Sequence, residues 1–121
     1  MDIKVRFKNK MSEPVLNATD FCIQTRERAD KTCFYSLMFK VCYSDGVSKT
    51  YSFNSTDEAL LKTLLERIEA KGEFLFNTTC NVCEQTTQGA ALNYDKYLAL
   101  TETGELDGEL NFVGGDYVIT A

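Results

Sequence analysis

Residues 32–72 read TCFYSLMFKVCYSDGVSKTYSFNSTDEALLKTLLERIEAKG. The first part, 32–43, alternates in polarity, with Cys33, Tyr35, Leu37, Phe39, Val41 and Tyr43 on one face. That is the pattern of a strand with one side against a core, and it makes Cys33 an expected core residue. Asp45-Gly46 then turns the chain. A two-residue loop would set Tyr43 opposite Ser48 and Phe39 opposite Ser52, which puts the apolar faces out of register. A three-residue loop, Ser44-Asp45-Gly46 with Gly46 left-handed, sets Phe39 opposite Tyr51 and Leu37 opposite Phe53. The second register is expected, because a slip of one residue turns a whole face to water.

The stretch ends in a helix, expected over 56–71. Ser55-Thr56-Asp57-Glu58 has the form of a capping box. Leu60, Leu61, Leu64, Leu65 and Ile68 recur at helical spacing and make one apolar stripe. Acids lie in the first turn, Arg67 and Lys71 lie near the end, and Gly72 is placed to stop the helix in the left-handed conformation. The stripe needs a sheet to cover it.

On either side the chain reads mainly as strand. Ile3, Val5 and Phe7 alternate with Lys4, Arg6 and Lys8, and Phe21 with Ile23 suggests a second strand. After the helix, Phe74-Leu75-Phe76 reads as a short strand, and 78–92 as a polar, irregular segment. Tyr94, Tyr97, Leu98 and Leu100 are expected to open a last sheet region. Gly114-Gly115 marks a two-residue hairpin that sets Phe112 opposite Tyr117 and Leu110 opposite Ile119. The expected fold is a single α+β domain over 1–121. Its sheet is mainly antiparallel, of about 6–8 strands and curled or barrel-like, on one amphipathic helix. An oligonucleotide-binding type of barrel is a special case of that arrangement.

The chain of 121 residues and its 44% hydrophobic content suit one soluble globular domain. Histidine is absent, which removes Ser-His and Cys-His nucleophiles, His bases and His metal ligands together. No phosphate-binding loop, GxGxxG or GxSxG occurs, so no enzyme is expected. The net charge is -5, which does not recruit a polyanion in bulk. Charge is uneven along the chain: residues 1–50 hold nine Lys/Arg against six Asp/Glu, and 51–121 hold four against twelve. No apolar run approaches the roughly 20 residues of a membrane span, and the opening residues lack the apolar core of a secretory leader. The expected address is cytoplasmic, with no membrane partner. The five cysteines are then expected as free thiols.

Three groups of residues are candidate sites. Glu102, Glu105, Asp107 and Glu109 cluster with no base between residues 97 and 121, and would present negative charge to a basic protein surface. Lys4, Arg6 and Lys8, with Arg26, Arg28 and Lys31 nearby, would track a phosphate backbone while Phe34 or a tyrosine stacks on bases; the plainer reading is that the strand-one cations guard a sheet edge. Cys80-Asn81-Val82-Cys83 has the spacing of a metal-chelating or redox pair, although a structural zinc would need Cys22, Cys33, Cys42 or Glu84 as well. The expected function is a non-enzymatic protein-binding module without a cofactor, of the inhibitor or adaptor kind that mobile genetic elements carry. The alternatives are a single-stranded nucleic-acid binder with a barrel fold, and a small zinc- or thiol-dependent domain using the CxxC.

Overall fold

A computed structural model describes residues 3–8 and 14–103. The chain runs β1 (Ile3–Lys8), β2 (Val15–Glu27), β3 (Cys33–Cys42), β4 (Ser48–Ser55), α1 (Glu58–Lys71), β5 (Glu73–Asn77), β6 (Cys83–Gln85), β7 (Gly89–Asn93) and α2 (Tyr94–Thr103). The strands form one seven-stranded sheet in the order β5-β1-β2-β3-β4-β7-β6. It curls into a half-barrel around an aromatic core.

The hairpin at its centre has the expected register, with Phe39 opposite Tyr51 and Leu37 opposite Phe53. The three-residue loop is closed by Tyr43 N–H donating to Val47 O, and Gly46 sits at φ 86°. Phe39, Phe53, Phe74 and Phe76 meet at centroid distances of 5.1–6.1 Å, mostly edge to face, the favoured geometry for such rings. Leu61, Leu64 and Ile68 of α1 join the same core. Gly72, at φ 78°, ends the helix and donates to Ile68 O.

Several expectations need correction. The sheet is mixed rather than mainly antiparallel: β1 pairs parallel with β5, and β4 parallel with β7. Pairing between strands so far apart in sequence leaves no local trace. Strand β1 therefore lies inside the sheet, and its cations guard no edge. The 78–92 segment contains β6 and β7, and Tyr94–Thr103 is a second helix, not sheet. Asn93 caps this helix by accepting from Lys96 N–H at 3.2 Å, and the rings of Tyr94 and Tyr97 stack over the core beside Phe53. The cap of α1 is Asp57, which accepts from Leu60 N–H, and the helix begins at Glu58. Cys33 is exposed, because β3 extends past the part of the sheet that the core covers. The expected hairpin around Gly114-Gly115 lies outside the described residues. No helix among the described residues is long and apolar enough to cross a membrane.

Candidate binding groove

The face of the sheet away from the aromatic core is not uniformly polar. On β3 it carries Phe34, Ser36, Met38 and Lys40, alternating with the inward Leu37, Phe39 and Val41. A β-bulge at Asp20, whose φ is 59°, shifts the pairing between Thr19 and Cys22. Ala18 on one side of the bulge and Phe21 on the other thus both face the core, while Cys22, Gln24 and Arg26 face outward. The shift sets Gln24 opposite Ser36 and Arg26 opposite Phe34. On the other flank Ser52 and Asn54 of β4 lie opposite Met38 and Ser36, and Ala91 and Asn93 of β7 lie beside them.

Part of this face lines a depression in two halves that meet at Phe34, Asn54 and Ala91. One half, about 240 Å³, lies among Arg26, Phe34, Met38, Asn54, Gln88 and Ala91. The other, about 200 Å³, shares Phe34, Asn54 and Ala91 and adds Arg28 and Glu84. The floor is a closed polar triad: the hydroxyls of Ser36 and Ser52 donate to Asn54 Oδ1 at 2.7 and 3.0 Å. With that oxygen doubly occupied, the free hydrogen-bonding capacity of Asn54 is its Nδ2 donor.

Both walls are held by turns. In the β2–β3 turn, Asp30 Oδ1 accepts from the Thr32 hydroxyl at 2.6 Å and from Thr32 N–H at 3.1 Å. These bonds, with Arg28 nearby, hold the exposed Asp30 carboxyl below its usual range despite a small opposing effect of burial. Lys31 takes the left-handed conformation at φ 73° to close the turn. The Arg28 guanidinium then lies 4.5 Å from the centroid of the Phe34 ring, a cation–π contact. Arg26 has no acidic partner among the described residues. Opposite, Thr86 Oγ1 accepts from Gln88 and Gly89 N–H, and Thr50 N–H donates to Gln88 O, which fastens the β6–β7 turn to β4.

The nominated cations do not form one patch. Arg26 and Arg28 line the groove. Lys4 pairs with Asn17, to which its Nζ donates at 2.6 Å; Asn17 and Arg26 are roughly 25–30 Å apart along β2 at the usual strand rise. Arg6 and Lys8 share β1 with Lys4.

Cys80 and Cys83 are brought together by a turn in which Cys83 N–H donates to Cys80 O at 3.2 Å. Both thiols are half-buried and pack against the core. Burial, and next the charges of Cys80 and Glu84, push the Cys83 thiol up to about 12. Burial also raises Cys80, against the opposing effect of nearby backbone N–H groups. Cys83 opens a strand, so no helix N-terminus favours a thiolate there. Among the described residues, no three His, Cys, Asp or Glu side chains converge as metal ligands would. Glu102 falls in the last turn of α2, and Glu105, Asp107 and Glu109 lie outside the described residues.

Comparison with protein-family models, with curated proteins and with solved structures finds no match. The groove also contains residues that the sequence reading did not nominate, chiefly Met38, Asn54 and Ala91. Their signal was partly present. Phe34 and Met38 fall on the β3 face opposite Leu37 and Phe39, where a solvated strand would carry charge. The contributions of β4 and β7 to the same face depend on a parallel pairing that no local pattern announces.

Proposed function

We propose that this chain is a non-enzymatic protein-binding module whose outer sheet face receives its partner. The observation that carries this reading is the display of Phe34 and Met38 beside Arg26, a guanidinium with no acidic partner among the described residues. Aromatic residues, Met and Arg are the types enriched where protein interfaces are buried, and Arg and aromatic anchors dominate their energetics. The groove's cations are guanidiniums, which hold their protons at any ordinary pH and are poor acid–base catalysts. The acidic residues Glu102, Glu105, Asp107 and Glu109 are proposed as a second contact, toward a basic region of the same partner.

The test is affinity capture from a lysate treated with nuclease, comparing the native chain with Phe34→Ala/Met38→Ala. A partner retained by the native chain and lost by the folded double variant supports the reading. Equal capture by both would remove the groove from the function. Capture that vanishes with nuclease would favour the single-stranded nucleic-acid alternative.

A further inference from the structure

We infer that the groove recognises an acidic peptide segment of its partner, with a carboxylate on Arg26 and a neighbouring apolar side chain against Phe34 and Met38. This rests on the protein-binding reading and adds the chemistry of the bound segment. Glu84 lines only the half of the groove that holds Arg28, whereas the half that holds Arg26 has no carboxylate among its described lining residues. Arg26 offers its guanidinium fork, Arg28 is held over Phe34, and Asn54 retains Nδ2 because both neighbouring serines have taken its oxygen. A ligand complementary to such a set brings acceptors, and a carboxylate matches the planar fork of Arg in a bidentate pair. Phe34 and Met38 border the same space, so the acceptor is flanked by apolar surface. An Asp or Glu next to a Leu, Met or aromatic residue meets both demands.

A nucleic-acid strand fits less well. It would find two cations, Arg26 and Arg28, where strong phosphate binders typically use about 6–10 contacts. One face of Phe34 is already covered by Arg28, which leaves a single ring face for a base.

Panning a random display library of short peptides on the native chain, on Arg26→Glu and on Phe34→Ala tests the inference. Peptides enriched by the native chain should carry Asp or Glu next to an apolar residue. Arg26→Glu should abolish the acidic preference, and Phe34→Ala the apolar one. A synthetic copy of an enriched peptide should bind Arg26→Glu at least about tenfold more weakly by fluorescence polarisation. Lys62→Glu, on the outer face of α1 away from the groove, should bind it normally. Both groove variants should keep the native circular-dichroism spectrum. No enriched peptides, enrichment without acids, or equal enrichment by Arg26→Glu would overturn the inference, as would tight binding of a fluorescent oligothymidine that Arg26→Glu abolishes. If the acidic preference fails while Phe34→Ala/Met38→Ala still loses the captured partner, this inference falls and the protein-binding reading stands.

Discussion

Asp95 at the start of α2 holds Ser55 at the end of β4: Ser55 Oγ donates to Asp95 Oδ1 at 2.6 Å, although the two are forty residues apart. The second carboxylate oxygen accepts from Thr56 N–H and from the Thr56 hydroxyl, each at 3.0 Å. Ser55 Oγ in turn accepts from Asp57 N–H, the residue that caps α1. One carboxylate therefore ties the entrance of α1 to that of α2.

This clamp makes stability depend on acid. Burial tends to raise the Asp95 carboxyl, but the bonds from Ser55 and Thr56 outweigh it and leave the group below its ordinary value of 3.8. A carboxyl depressed in the folded state stabilises above its unfolded value, and that contribution fades as pH falls through the folded one. Asp95→Ala should cost about 1.5–3 kcal/mol at neutral pH, since hydrogen bonds to a charged group are lost. The difference in melting temperature between the native chain and the variant should shrink below about pH 4. A gap that stays constant from neutral pH to about pH 2 would contradict the clamp.

The two faces of α1 should respond in opposite ways. Leu61 is fully buried, so Leu61→Asp places an unpaired charge in the core and should cost several kcal/mol, enough to unfold a small domain. Lys62 is exposed and pairs with Glu58 at 4.0 Å. Lys62→Asp should cost no more than about 1 kcal/mol, from the lost pair and the new like-charge contact. Similar thermal melts for the two variants would mean that the helix faces are misassigned.

Gly89 is required by close approach, not by backbone angle. A Cβ there would lie 1.8 Å from Thr50 O, so β4 and β7 could not keep their spacing. Gly89→Ala should destabilise by about 1–3 kcal/mol as the strands move apart. Hydrogen exchange should also speed up at Thr50 N–H, which donates to Gln88 O. Unchanged exchange at Thr50 would show that the turn accommodates the methyl group.

Thiol chemistry should divide the cysteines. Cys22, Cys33 and Cys42 are exposed, whereas Cys80 and Cys83 are half-buried and raised by burial, Cys83 to about 12. A thiol reagent at neutral pH should modify the first three quickly and the CxxC pair only slowly, because the thiolate is the reactive form. Denaturant should release all five. Fast modification of Cys80 and Cys83 in the folded protein would revive a redox or metal-binding role for them.

What the sequence revealed follows the range of the interactions involved. The hairpin register was legible because Gly46 and two alternating faces lie within twenty residues, and α1 because its stripe and Gly72 are local. The segment from Tyr94 was misread because Tyr94, Tyr97 and Leu98 suit a helix by spacing while their aromatic content suits a strand. Asn93, as its cap, was the deciding clue. The bulge at Asp20 and the parallel pairs β1–β5 and β4–β7 are set by packing between distant segments. Half of the groove was therefore visible in the parity of β3, and half arrived only with β7.

The strand-one cations give the last test, because the structure separates them from the groove. Lys4 already donates to Asn17, and β1 lies between β5 and β2, so the row Lys4, Arg6, Lys8 is neither an edge guard nor an extension of Arg26 and Arg28. Counterion release makes any phosphate-tracking surface sensitive to salt. If the row bound single strands, affinity for an oligothymidine would fall steeply with salt and would vanish in a Lys4→Gln, Arg6→Gln, Lys8→Gln triple variant. The net charge of -5 and the distance of this row from the groove argue for the opposite outcome. Binding of the oligonucleotide should be weak or absent at about 0.15 M salt, and the triple variant should capture the same protein partner as the native chain. Reversing Glu105, Asp107 and Glu109 to lysine should weaken that capture, since opposed charges at the contact would become like charges. Submicromolar oligonucleotide binding that the triple variant abolishes would transfer the function from the groove to β1.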